Sequence, residues 1–233
     1  MHPSAMDLGR QLFLTHGAGL RRVLDVGSID INGTLREVCP DHVDYVGIDL
    51  EAGKGVDMVL DDPYQYPFAD GSFDMAVSTS CFEHDPMFWL TFLEMLRVVR
   101  EAGVIYINAP SSGNYHTHPW DNWRFYPDAS HALEMWGRRS GYQVHALESF
   151  VLRLGPWNDY VMIFSKGSID ASRCGFLSDG FGNVMNLRKA THPNEVLLRA
   201  AESEDQLQLR LLQHRVAELE LALAKQPQRL SGA

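Results

Sequence analysis

The chain is short of cysteine, of basic residues and of long apolar runs. Only Cys39, Cys81 and Cys174 occur in 233 residues. They are odd in number and far apart, and no Cys-x-x-Cys pair exists, which excludes a disulfide framework and a thiolate zinc knuckle. Lys and Arg number 20 against 30 Asp and Glu, a formal charge of −10. A surface so acidic is a poor match for a nucleic-acid backbone, so no nucleic-acid partner is expected. No run of eighteen apolar residues appears, so no membrane span is expected. Asp7, Arg10 and His16 interrupt the start of the chain, which argues against a signal peptide and for a cytoplasmic location.

What is present is a hydrophobic content of 45%, enough for a core. Residues 22–50 organise it. Val23 to Val26 reads as a strand, Gly27 ends it, and Gly33 lies where a helix would open at Thr34. Val46 to Ile48 is a second strand with Asp49 at its carboxyl edge. This is the order of a nucleotide-binding βαβ unit. Strands are also expected near 57–60, 75–78, 104–107, 142–153 and 159–165, and helices near 7–20, 87–100 and 127–140. The fold expected is α/β and Rossmann-like: a mostly parallel seven-stranded sheet with helices on both faces and an antiparallel strand at the end.

Four parts follow. Residues 1–167 form the main domain, and 168–194 a glycine-containing, loop-rich extension without assigned elements. Residues 195–225 form a C-terminal amphipathic helix, and 226–233 a disordered tail. Leu209, Leu212, Val216, Leu219 and Leu223 are spaced 3, 4, 3, 4, a heptad seam. It suits either packing on the same chain or a coiled coil that makes a homo-oligomer.

Carboxylates gather at the predicted strand ends, where open α/β sheets bind ligands. Asp25 lies near the end of the first strand. Asp49 ends the second and can accept both hydroxyls of a ribose. Asp61 and Asp62 follow the third, where one can meet an adenine amino group. Glu83 and His84 follow the fourth. Turn and helix capping is the plainer role for Asp25 and Asp49. A nicotinamide dehydrogenase would need a tighter glycine triplet for its pyrophosphate.

Residues 108–127 form an unusually long loop with Tyr115, His116, His118, Trp120, Asp121, Trp123, Arg124 and Phe125. Loops so dense in functional side chains are seldom mere connections. His116 is the first candidate for a general base, with His118 and His84 behind it; Asp121 can orient a histidine or act itself. Tyr115, Trp120, Trp123 and Arg124 are candidates for acceptor contacts. Trp123 and Phe125 are equally suited to anchor the loop, and Arg124 to pair with Asp121 or Glu83. His116, His118 and Asp121 have metal-ligand chemistry, yet nothing else in the sequence requires a metal and none is expected.

The segments Val23-Leu24-Asp25-Val26-Gly27, Tyr45-Val46-Gly47-Ile48-Asp49, Tyr66-Pro67-Phe68, Ser72-Phe73-Asp74 and Glu83-His84, with Asp62, resemble class I S-adenosylmethionine-dependent methyltransferases of the type 11 group. The likeness spans about 22–165. It implies S-adenosylmethionine as cofactor. It places Asp25, Gly27, Ser28 and Gly33 toward the methionine part and Asp49 with Leu50 at the ribose. Asp61 or Asp62 would read adenine, with Ser80 and His84 bordering the site. The usual Gly-x-Gly is replaced by the longer loop Gly27–Gly33. His116, Pro119, Asp121, Trp123, Arg124 and Phe125 also resemble a segment of type 11 enzymes from bacterial surface-glycan neighbourhoods. That likeness implies methylation of a hydroxyl on a glycan or other small molecule. The alternative is a catalytically silent scaffold that associates through its C-terminal helix.

Overall fold

The computed structural model describes residues 3–153, 157–168, 170–171, 174–200 and 204–224. The expected tail, 226–233, lies outside them. Contacts divide the chain into two units, Met1–Arg199 and Ala200–Ala233.

In the first unit, α1 (Pro3–His16) is followed by β1 (Arg22–Val26), β2 (Asp44–Asp49), β3 (Met58–Val59) and β4 (Phe73–Thr79). Then come α2 (Phe88–Val98), β5 (Val99–Pro110), α3 (Ala129–Arg139), β6 (Val144–Leu152), β7 (Asp159–Lys166) and β8 (Val184–Lys189). The sheet has eight strands in the order β3-β2-β1-β4-β5-β7-β6-β8. The first five pair in parallel, whereas β7, β6 and β8 run antiparallel to their neighbours.

Strand periodicity sorts the core into two faces. Leu24, Ile105, Ile107, Met162 and Phe164 point toward α2 and α3, where Phe92, Met95, Leu96 and Leu133 meet them. Val23, Met75, Val77, Tyr106 and Ile163 point the other way, onto Leu8, Leu12 and Phe13 of α1. Each fully buried leucine or phenylalanine contributes about 1.5–3 kcal/mol, so both faces are needed to hold the sheet.

Three features differ from the sequence expectations. The helix expected after Gly33 is a single 3-10 turn, Leu35–Val38, capped by Thr34. Only Leu35 of that turn is buried, so no apolar stripe exists to extend it. The sheet gains an eighth strand from the stretch 168–194: β8 pairs with β6, with Leu187 buried and Met185 against the core. Its glycines and polar residues masked the short alternation. The antiparallel edge is therefore three strands wide, not one.

The second unit contains α4 (Glu204–Ala224), which carries the seam Leu209 to Leu223. On it, Glu218 pairs with Arg215 at 3.0 Å.

Candidate active site

A cleft of about 380 Å³ opens at the carboxyl edge of β1, β2 and β4. Its apolar wall is Ile29, Ile48, Leu60 and Tyr66, with Leu50 at the rim. Gly27 starts the loop after β1 with φ +78°. A Cβ there would meet the Cys81 sulfur at 2.5 Å, so glycine is required for the loops after β1 and β4 to approach. Ser80 at the end of β4 also takes a left-handed backbone, φ +52°, beside the cleft. Such a conformation is costly for a residue with a side chain and concentrates at functional sites.

Asp49 is fixed at the end of β2. Its Oδ2 accepts the Ile29 N–H at 3.0 Å and its Oδ1 accepts the Leu50 N–H at 2.7 Å. Each oxygen keeps a lone pair for a ligand hydroxyl, in a cleft otherwise suited to a flat apolar ring. The residues present thus fit an adenosine with a ribose diol.

Several predicted cofactor residues sit elsewhere. Asp25 is buried and accepts the Tyr45 hydroxyl at 2.7 Å on the α1 side of the sheet. Burial pushes its carboxyl up to about 6, partly offset by that hydrogen bond. Asp61 and Asp62 are exposed outside the cleft wall, and Asp62 Oδ1 closes a turn by accepting the Tyr64 N–H. Ser28 and Gly33 also lie off the wall. The Asp30 side chain accepts the Gly33 N–H at 2.6 Å and pairs with Lys54 at 2.5 Å. Asp30 N–H in turn reaches the Lys54 carbonyl at 2.8 Å. The extra length of the Gly27–Gly33 loop therefore braces the β2–β3 connection. Only Gly27 and Ile29 of that loop face the cleft.

Sequence reasoning missed Tyr64, Cys81 and Asp85, all on the wall. Asp85 accepts the Tyr64 hydroxyl at 2.8 Å and the Met87 N–H at 2.9 Å, and it also accepts from Thr91. It thereby ties the β3–β4 and β4–α2 loops together. Its place directly after Glu83-His84 was the available signal.

The long loop after β5 adds His118, Pro119 and Trp120 to the cleft. His84, His118 and Trp120 line the cleft, whereas Tyr115, His116, Asp121, Trp123 and Arg124 stand behind or beside it. Its attachment runs through backbone carbonyls. Asn122 and Trp123 donate N–H groups to the Glu83 carbonyl at 2.7 and 3.1 Å. Trp123 Nε1 donates to the Asp85 carbonyl at 2.9 Å, and its ring packs edge-on against Phe88 and Trp89. Trp123 is an anchor. Phe125, 4% exposed, joins the core.

Of the two pairings open to Arg124, the structure has the one with Asp121. Its guanidinium reaches both carboxylate oxygens, at 2.5 and 2.8 Å. Arg124 thereby holds the Asp121 carboxyl down to about 2. A carboxylate so stabilised is a weak base, and Asp121 serves instead to hold the loop, also accepting the His116 N–H at 2.8 Å. Glu83 is buried beside this pair, and burial pushes its carboxyl up to about 8. Burial also lowers the His84 imidazole below its ordinary value, keeping it neutral near pH 7. The His84 and His116 rings lie edge to face at 4.9 Å.

Residues 9–107 match a family model described as a methyltransferase domain. No curated protein matches the chain in sequence. One similar solved structure is 1,6-didemethyltoxoflavin-N1-methyltransferase of Burkholderia thailandensis, with bound 1,6-didemethyltoxoflavin and S-adenosylhomocysteine. It has a TM-score of 0.54 at 15% identity, over 72% of this chain and 80% of that one. A SAM dependent methyltransferase from Archaeoglobus fulgidus has a TM-score of 0.52 at 17% identity, over 70% and 93%. At such identity these structures speak to the fold. With the matched domain, which spans less than half of this chain, they give the fold of class I S-adenosylmethionine-dependent methyltransferases, with the cleft at the carboxyl edge of the sheet.

Proposed function

We propose that the chain transfers the methyl group of S-adenosylmethionine to a hydroxyl of a sugar, glycan or similar small molecule. The observation that carries this reading is that one cleft is lined both by Asp49, suited to a ribose diol, and by His84, His118 and Trp120. Asp49 would accept from the ribose hydroxyls, and Ile29, Ile48 and Leu60 would cover the adenine. The acceptor oxygen attacks the methyl carbon in line. The new O–C bond forms as the C–S bond breaks, and its electron pair stays on sulfur. The hydroxyl proton must leave in the same step. His118 would take it, ahead of His116, a choice supported by its position on the cleft wall. Trp120, 59% exposed, and Tyr115, 79% exposed, offer faces for a sugar ring.

Calorimetric titration with S-adenosylmethionine tests the first half: binding is expected, at least tenfold weaker in Asp49→Ala. Folded protein that binds none would overturn the reading. The second half is read from methyl transfer out of labelled cofactor onto hydroxylated sugars. Turnover should fall in His118→Ala with cofactor affinity unchanged, and normal turnover in that variant would remove His118 as base. A silent scaffold is not favoured, since no observation on the cleft calls for one.

For the second unit, the apolar seam on α4 supports pairing of two copies. Sedimentation of the full chain against one ending before residue 200 decides this, and two monomers would exclude it.

A further inference from the structure

Cofactor binding leaves one cluster of side chains unexplained. Glu83 is 1% exposed, and its Oε2 has no hydrogen-bond partner among the described residues. Nε2 of His84 faces Glu83 Oε1 at 3.7 Å, too far for a hydrogen bond. The other nitrogen of that ring, Nδ1, lies 2.5 Å from the Trp120 carbonyl. A carbonyl only accepts, so Nδ1 carries the proton and Nε2 presents a lone pair. Around His116 Nδ1 stand two acceptors, the Asn114 carbonyl at 3.2 Å and Asp121 Oδ2 at 3.4 Å, and a more distant donor, Arg124 Nη2 at 3.5 Å, so the nearer partners favour a proton on Nδ1. Its Nε2 is thus also left with a lone pair. One ligand atom from each of Glu83, His84 and His116 lies within 4.8 Å of the others.

Two imidazoles and a buried carboxyl meet here. A cation between them would satisfy all three, the unpartnered Glu83 oxygen included. We propose that Glu83, His84 and His116 bind one divalent first-row transition-metal ion, with its remaining coordination open toward the cleft. Two imidazoles and one carboxylate are the donor set of catalytic zinc sites and of facial-triad iron sites. Bonds of about 2.0–2.2 Å set tetrahedral ligand atoms about 3.4 Å apart, so the site closes by small side-chain rotations. Both histidines already have the supporting contact expected of metal ligands, a carbonyl or carboxylate on the far nitrogen. Asp121 supplies the one behind His116, and Arg124 fixes Asp121.

His84 lies on the cleft wall, so an ion here would sit beside an acceptor oxygen. Coordination would make that hydroxyl more acidic and ease loss of its proton to His118. This role rests on the methyl-transfer reading, whereas metal binding does not.

The test uses the full chain stripped with a chelator and titrated with zinc chloride by calorimetry, with metal content measured by mass spectrometry. One zinc per chain is expected. Glu83→Gln, His84→Ala and His116→Ala should each weaken binding at least tenfold, and His42→Ala and His131→Ala should leave it unchanged. Circular dichroism verifies folding. His116 is half-buried, so His116→Ala decides the matter if Glu83→Gln does not fold. Absence of stoichiometric zinc, or binding indifferent to the three substitutions, would overturn the proposal. S-adenosylmethionine titrated into the stripped protein separates the two readings. Zinc without cofactor binding defeats only the proposed reaction; cofactor without zinc defeats only the metal site.

Discussion

The Tyr45 hydroxyl donates a 2.7 Å hydrogen bond to Asp25 Oδ2, and both side chains are buried beneath α1. Asp25 shares the face of Val23, because residues two apart in a strand point the same way. It therefore sits one layer away from the ligand cleft, although its neighbours Val26 and Gly27 border that cleft. There it is buried against Tyr45, and its charge is a burden.

That burden has a pH signature. The Asp25 carboxyl is raised from 3.8 to about 6, chiefly by burial. Between those values the folded chain binds more protons than the unfolded one, so stability falls as pH rises from about 4 to 6 and is level above. The shift corresponds to about 3 kcal/mol at most. Asp25→Asn keeps an acceptor for Tyr45 and removes the charge. Urea denaturation at pH 8 should show the variant more stable than the wild type, with the difference gone at pH 4. An equal difference at both pH values would refute the assignment.

Gly27→Ala tests the approach of the two loops. The new methyl group would stand 2.5 Å from the Cys81 sulfur on a backbone with φ +78°. Strain of this kind costs about 1–3 kcal/mol. Relief requires the β1 and β4 loops to part, which widens the cleft. Melting temperature and S-adenosylmethionine affinity should fall together, the latter at least tenfold. A variant that melts lower but binds normally would show that the loops are not part of the cofactor seat.

Two tryptophans of the β5–α3 loop should separate cleanly. Trp123 donates to the Asp85 carbonyl and packs on Phe88 and Trp89. Trp123→Ala should cost about 2 kcal/mol of stability, less than a fully buried aromatic because the residue is 37% exposed. Trp120 stands in the cleft wall with its ring largely exposed, and it holds His84 through its carbonyl, which alanine retains. Trp120→Ala should leave stability within about 0.5 kcal/mol and raise the acceptor KM severalfold. The reverse pattern would exchange the two roles.

How far these roles were legible follows from the kind of signal each residue carries. Strand and helix order was readable because burial writes a period into the chain: Val23, Leu24 and Val26 in β1, and Phe92, Met95 and Leu96 in α2. The place of Asp49 on the cleft wall was readable because a strand end fixes where its side chain goes. Asp25 was not, since sequence neighbourhood to Gly27 does not reveal which face of the sheet a side chain takes. Asp62 had a turn partner two residues on, Tyr64, and nothing in the sequence ranks that bond against a ligand. The cluster of Glu83, His84 and His116 joins positions more than thirty residues apart, which only the folded loop brings together.

Arg124 and Asp121 carry that loop, and their pairing gives the opposite pH dependence to Asp25. The Asp121 side chain is 2% exposed and held by a two-pronged guanidinium. Its carboxyl is lowered to about 2, first of all by Arg124. A depressed carboxyl adds stability above about pH 4, and that stability drains away as pH falls toward 2. Arg124→Ala leaves a buried carboxylate with only His116 against it, through the backbone N–H at 2.8 Å and the imidazole Nδ1 at 3.4 Å. Buried pairs broken in this way cost roughly 3–5 kcal/mol, and the 21% exposure of the guanidinium brings the expected loss nearer to about 2. Arg124→Lys keeps the charge but not the planar fork, so it should recover only part. Urea midpoints at pH 7 and pH 3.5 should show the gap between wild type and Arg124→Ala narrowing in acid. In methyl-transfer assays the same variant should lose turnover, because the loop also carries His116 and His118. An Arg124→Ala enzyme with full stability and full turnover would mean that the backbone bonds to Glu83 and the Trp123 anchor hold the loop without Arg124.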